Sequence, residues 1–322
     1  GLLLLKGIPV FPVLFLLLLF LIATWYALRS KKNLIQDEPA DQSLYEKIRI
    51  HPIEIQLNTD LFNELIPYQD ALLLLIQQLR ERLAYELGFV IPDIKLRAEN
   101  KLNYPYYALC IQGNHQGVNQ FHTNKLLAIA THHAKKTEKI KGIEVNDPSY
   151  GLPATWIDSH QQALAIDEGF TVCEPLTVLI THLNDVIQSH LAELLTRTET
   201  ETLLEQSNIA NLRDELIPSL LPLGHVQRIL QQLLQEKVSI RFLSTILEVL
   251  LEHSKTITDP TQLTELVRAR LATPICQKLM TQQNNLPVLT LAPSLEQQLN
   301  QGLSHNQWAL QPKLTEKFIV SL

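Results

Sequence analysis

Apolar residues change their spacing several times along the chain, and each change marks an element. Residues 7–28, GIPVFPVLFLLLLFLIATWYAL, carry no charged side chain. As a helix rising ~1.5 Å per residue they would span roughly 33 Å, about the thickness of a hydrocarbon core. Trp25 and Tyr26 fall at the distal end, where amphipathic rings settle at headgroup depth, and Arg29, Lys31 and Lys32 follow at once. Pro9 and Pro12 fall near the first turn, which tolerates proline. The stretch reads as a transmembrane helix. As a signal peptide it is too long, lacks a small-residue cleavage site and carries its positive charge at the wrong end. The basic cluster places the residues C-terminal to it in the cytoplasm.

Residues 33–45 are polar and acidic and read as a linker. Residues 46–57 alternate, with Ile48 and Ile50 before Pro52 and Ile53, Ile55 and Leu57 after it, which predicts a strand. Leu72, Leu75, Ile76, Leu79, Leu83 and Leu87 fall at helical spacing, so a helix is expected over 70–87, stopped by Gly88. Strands are expected at 89–96, 106–112 and 121–131, with a turn at 113–117 and a basic loop at 135–141. Residues 147–158, DPSYGLPATWID, combine two prolines, a glycine and two aromatics and read as a rigid loop entering a strand. A short helix over 159–168, closed by Gly169, and a strand at 170–173 come next. Pro175 opens a helix running to 195. Thr198 and Glu201 have capping-box spacing for another helix. Further on, Val226, Ile229, Leu230, Leu233 and Leu234 mark one helix, and Ser239 is placed to cap a second. Asp259-Pro260 opens a third, running to about 280. A strand at 286–291 and a helix from Ser294 to 303 close the pattern. Small α/β units thus precede a helical unit and the start of another α/β unit. That last unit reads as unfinished, because one strand and one helix cannot bury their apolar faces alone.

Composition narrows the functional classes. The 322 residues are 46% hydrophobic, which excludes a disordered or collagen-like chain and suggests about two domains. The mean hydropathy of +0.03 is raised chiefly by the first thirty residues. The one methionine is Met280, so Gly1 reads as a processed end or the edge of a longer chain. A net charge of −6 and 6% aromatics argue against nucleic acid as a partner. Cys110, Cys173 and Cys276 are far apart, without metal-site spacing and without a local histidine partner, and read as buried thiols in a reducing compartment. No nucleotide-binding glycine motif, zinc-protease motif or nucleophile elbow occurs. His132-His133 lies beside lysines in a solvated loop. His182 and His190 are spaced to share one helix face but lack a third ligand, so they read as capping, pairing or surface residues, and no metal or cofactor is expected. Asp147 and Asp158 are conceivable as an acid–base pair, but an aspartate before proline is more often a turn former. The chemistry favours binding or assembly over catalysis.

Several separate blocks carry a resemblance. The runs DPSYGLPATWID (147–158), GFTVCEPLTVLITHL (169–183) and HLAELLTRTETETLL (190–204) resemble the FHIPEP family, the large export-gate proteins of flagellar and injectisome type III secretion systems. LGFVIPDIKLR (87–97), LPLGHVQRILQQLLQEKVSIRFLSTILEVLLEHS (221–254) and DPTQLTELVRARLATPIC (259–276) match in order and spacing.

The resemblance implies an α+β / α/β multi-subdomain cytoplasmic region after a transmembrane helix, here 7–28, the last of the family's membrane helices, with a linker at 29–45. By analogy the first α/β subdomain comprises 46–125 and 175–195, the second is inserted at 126–174, the helical third covers 196–274, and 275–322 begins a fourth that is normally longer. It further implies a bacterial inner-membrane protein whose cytoplasmic part forms a nonameric ring. The ring docks chaperone–substrate complexes, works with other export-apparatus proteins and the secretion ATPase complex, and passes substrates to the export channel. The linker would reach the adjacent subunit. The positions matching the chaperone-docking groove are Asp147, Tyr150 and Thr181. Flagellar members typically carry Phe where this chain has Tyr150, which leans towards an injectisome member. A membrane-anchored hydrolase and a scaffold outside secretion are the alternatives.

Overall fold

The structure is a computed structural model that describes residues 50–131, 140–206, 209–281, 285–288, 290, 292–294 and 296–297. The expected membrane helix at 7–28, the linker at 29–45, most of the basic loop at 135–141 and the paired histidines at 132–133 lie outside the described residues. Among the described residues no helix is long and apolar enough to cross a membrane.

The first sheet grows from β1 (Ile53–Leu57), whose five residues are all buried. Its order is β2-β1-β3-β4, with β2 (Ile94–Ala98) parallel to β1 and β3 (Tyr106–Ile111) antiparallel to it. Parallel neighbours need a crossover. It is made by α1 (Thr59–Leu65), a 3₁₀ turn (Ile66–Tyr68) and α2 (Gln69–Leu87). The helical spacing read from the sequence holds: Leu72, Ile76, Leu79, Leu83 and Leu87 are buried, and Gly88 ends α2 in the left-handed conformation at φ +91°. Residues 113–117 are not all turn. Only Gln112 and Gly113 turn, at φ +49° and +78°, and β4 (Asn114–Gln120) pairs back on β3. This strand was illegible because it lies at the sheet edge and is held by backbone pairing, so its NHQGVNQ sequence needs no apolar alternation.

The second sheet, order β6-β7-β5-β8, is antiparallel throughout and comprises β5 (Leu126–Ala130), β6 (Ile143–Asn146), β7 (Pro153–Ile157) and β8 (Phe170–Cys173). One face packs Ala128 and Ile157 on Ala165 of α3 (Gln162–Asp167). The other packs Leu127, Ala154 and Trp156 on Val178 of α4 (Pro175–Ser189). The expected helix 175–195 breaks at His190 and resumes as a short α5 (Leu191–Leu194).

The remaining described helices are α6 (Arg197–Gln206), α7 (Ala210–Leu216), α8 (Leu223–Gln235), α9 (Leu243–His253), α10 (Pro260–Arg270) and α11 (Ala272–Leu279). Three sequence expectations shift here. Thr196, rather than Thr198, caps α6, its Oγ1 accepting from Glu199 N at 3.5 Å. Ser239 does not cap α9; its hydroxyl donates to Leu87 O at 3.2 Å, tying the helical part to α2. Asp259 caps α10 as expected, accepting from Gln262 N at 3.1 Å, but the helix stops at Arg270. Pro274 cannot donate to the Arg270 carbonyl and its ring would clash there, so α11 starts afresh. Residues 285–288 and 290 form no strand, whereas residues 293, 294, 296 and 297 are helical. One large core runs from the first sheet through α2 and α4 into α8, α9 and α10, whereas the second sheet has two small cores of its own.

Candidate functional site

The loop between β6 and β7 is closed by bonds from one residue. Asp147 N donates to Leu152 O at 2.7 Å, Gly151 N donates to Asp147 O at 2.9 Å, and the Asp147 carboxylate accepts from Tyr150 N at 2.7 Å. Gly151 supplies the turn at φ +66°, in open space. Asp147 itself is 4% exposed, while Tyr150 is 72% and Leu152 41% exposed. The loop is therefore a rigid mount that holds an aromatic ring in water. Apolar Ile143 on β6 is also exposed.

The third expected residue, Thr181, is half-buried on α4, its hydroxyl donating to Thr177 O at 2.8 Å. Its neighbour His182 is buried. Sequence reasoning gave His182 no specific role, although Val178, Leu179 and Val186 flank it at helical spacing on the buried face. His190 sits at the C-terminal end of α4, its Nδ1 2.9 Å from Val186 O, and the two histidines form no shared site.

Aromatic rings join the two sheets. His182 meets Tyr107 of β3 edge-on at 5.7 Å, Tyr107 meets Phe121 at 6.1 Å, and Phe121 meets Trp156 of β7 at 6.3 Å. His122 lies 5.4 Å from Trp156 on the same line. Burial, reinforced by the Asp147 charge, drives the Tyr107 hydroxyl far above its ordinary pKa. It stays protonated and lies 2.8 Å from His182 Nδ1, within hydrogen-bonding distance. Burial pulls His182 below the usual imidazole range, opposed by Asp185 and Asp147. Burial, with Lys125, lowers His122 as well. Asp147 thus acts electrostatically on Tyr107, Cys173 and His182.

The geometry does not assemble an acid–base pair. Asp147 and Asp158 flank β7, whose five residues span roughly 17 Å at ~3.3 Å each. Asp158 is held ionised by the Lys125 ammonium at 2.6 Å, which pulls its pKa down. Among the described residues no group of three or more His, Cys, Asp or Glu is arranged to hold a metal. Cys110 does have a neighbour the sequence did not reveal, His115 Nδ1 at 3.5 Å. Burial, then Glu54, nevertheless pushes the thiol up to about 11, so it is not a nucleophile near neutrality. At about pH 7.5, Cys110 in the folded protein should alkylate with iodoacetamide more than tenfold slower than free cysteine. Mass spectrometry of the labelled peptides checks this, and fast labelling of Cys110 would revive a catalytic thiol.

The chain matches the FHIPEP family over residues 1–322. It is 32% identical to the flagellar biosynthesis protein FlhA of Buchnera aphidicola subsp. Acyrthosiphon pisum, the match covering 98% of this chain and 48% of that protein. It is 33% identical to FlhA of Bacillus subtilis, covering 89% of this chain and 43% of that protein. The chain thus spans about half the length of the curated relatives it matches. Among solved structures, the Chlamydia pneumoniae CdsV protein superposes with a TM-score of 0.68 at 23% identity, covering 85% of this chain and 81% of that one. The nonameric SctV-C of EPEC gives 0.62 at 22% identity, covering 85% and 82%. These structures share the mixed α and β fold described above. With the family match running along the whole sequence and FlhA proteins one-third identical over most of it, the chain belongs to the FHIPEP family.

Proposed function

We propose that this chain is part of a type III protein export gate, and that its Tyr150 face docks chaperone–substrate complexes for delivery to an inner-membrane channel. The exposed Tyr150 ring, mounted on a loop that Asp147 closes from within, carries this reading. A ring in water beside Leu152, with Thr181 on the adjoining helix, suits reversible protein binding. Asp147 serves the surface indirectly, as the buried clasp of the loop. The subdomain division proposed from the family places this loop on the inserted second unit and Thr181 on the first.

Residues 7–28 would anchor the protein in the bacterial inner membrane, with the residues after about 29 in the cytoplasm. The protein would act as a homo-oligomeric ring, as EPEC SctV-C and the EscV cytosolic domain are nonameric. It would also work with other export-apparatus proteins and the secretion ATPase complex, and CdsV forms a complex with another protein, CdsO. The FlhA names of the relatives favour the flagellar branch, against the lean drawn from Tyr150. We assign no catalytic role, since Asp147 caps a loop, Asp158 is paired with Lys125 and Cys110 is a high-pKa thiol.

Tyr150→Ala should leave the melting curve unchanged and weaken binding of a secretion chaperone–substrate complex. Burying one such ring contributes about 1.5–3 kcal/mol, so the loss should be on the order of 10- to 100-fold in Kd. Isothermal calorimetry reads it, and an unchanged isotherm sinks the docking assignment.

A further inference from the structure

We propose that β6 receives one more strand, an extended segment of the docked partner with a basic residue opposite Glu144, an inference that rests on the docking role given to the Tyr150 loop. β6 is the outer strand of the second sheet, and among the described residues it pairs with β7 alone. Two observations fix where its backbone groups point. Asp147 N donates to Leu152 O at 2.7 Å, so those two residues form a bonded pair. Pro153 has no N–H and cannot complete a bonded pair with Asn146, which stands opposite it. Bonded and non-bonded pairs alternate along an antiparallel ladder. Val145 therefore bonds inward to Ala154, whereas Glu144 and Asn146 direct their N–H and C=O groups away from β7. Both residues are exposed, so two donors and two acceptors stand open at strand spacing. An extended backbone answers all four at once.

The other edges are guarded. β2 carries Lys95 and Arg97, charges that discourage pairing. β4 is irregular, since Leu109 pairs with Gly117 but Cys110 with His115. β8 passes at once into α4. β6 keeps an unbroken register, has no proline or lysine, and runs straight into the loop that mounts Tyr150. A segment paired on β6 therefore continues the docking face without a gap.

The flanking side chains set the chemistry of the segment. Its residue opposite Glu144, the one charge on β6, is Lys or Arg, because opposite charges directly across a ladder attract. Its next residue stands opposite Val145 at a non-bonded position, where side chains approach more closely. An apolar side chain suits that place, beside exposed Ile143 and half-buried Val145. On the other face a cavity of about 510 Å³, lined by Ile140, Glu144, Asn146 and Phe170 among others, has room for the two flanking side chains.

Amide-resolved hydrogen exchange of the full chain, read by mass spectrometry with electron-transfer fragmentation, tests this with a secretion chaperone–substrate complex as the probe. On binding, the Glu144 and Asn146 amides should gain about tenfold or more in protection, while the Val145 amide, already bonded to β7, changes less. Asn146→Pro deletes an outward donor and no bond to β7, so Kd should rise about tenfold. Asn146→Ala keeps that donor and should bind within about twofold of the wild type. Glu144→Lys sets like charges face to face and should weaken binding about threefold or more in low salt. Binding without new protection at Glu144 and Asn146 overturns the added strand. So does wild-type affinity in Asn146→Pro, or Asn146→Ala as damaging as Asn146→Pro. An unchanged Kd in Glu144→Lys overturns the basic residue opposite it. These failures leave an effect of Tyr150→Ala standing, whereas a wild-type chain that binds no such complex removes the docking role and the added strand together.

Discussion

Replacing Gly88 by alanine should lower the unfolding temperature by on the order of 10 °C, the equivalent of roughly 3 kcal/mol for a chain of this size. Two costs combine. Gly88 sits at φ +91°, where a Cβ costs about 1 kcal/mol. The added Cβ would also lie 2.2 Å from Arg241 N and 2.4 Å from its Cα, both backbone atoms of the segment leading into α9. That segment cannot yield cheaply, because Ile240 N donates to Leu87 O at 2.8 Å and Ile240 is fully buried. The substitution therefore parts the seam between α2 and the helical part and opens the core they share. Gly224→Ala is the matched control. It lies in the first turn of α8 with nothing within 4 Å of its new Cβ, so stability should hold or rise by up to about 1 kcal/mol. Calorimetric melts of both variants decide the point, and equal melting temperatures would refute the seam.

Trp156→Ala should cost about 3–5 kcal/mol, the usual loss for a buried large aromatic. Trp156 is 1% exposed and is packed by Leu127, Ala154 and Val178 on the sheet face, with Phe121 and His122 at its edges. The damage should be local. The second sheet has only two small cores, whereas the first sheet and the helical part share the large one. Hydrogen exchange should therefore rise across β5 to β8 while β1 and α8 stay protected. Since β6 and β7 carry the Tyr150 loop, the proposed docking of a chaperone–substrate complex should weaken with it. An unchanged exchange pattern in β5 to β8 would show that the ring does not hold the sheet.

Legibility varied with the cause of each element. The α2 helix was readable because its buried leucines repeat at helical period and Gly88 ends it. Strand β4 was not, since NHQGVNQ is almost wholly polar and is held at the sheet edge by backbone pairing, and β6 was missed because IEVN offers only two apolar positions, Ile143 and Val145. Tyr150 entered through the family resemblance carried by DPSYGLPATWID. Its exposure is a tertiary result, as is the burial of Asp147 three residues earlier. Nothing in the run distinguishes the residue that meets water from the one that holds it there. The Thr196 cap shows the smaller version of the problem, because capping-box spacing pointed to Thr198, whereas the helix starts at Arg197 and its cap is two residues earlier than expected.

By itself the sequence determined the family, the order of sheet and helical units and the turn-rich segment that carries Tyr150, because periodicity, proline and glycine act locally. Only the tertiary structure decided that β3 and α4 meet at Tyr107 and His182. Those residues are 75 positions apart, and burial and hydrogen bonding depend on distance in space, which spacing along a chain does not encode.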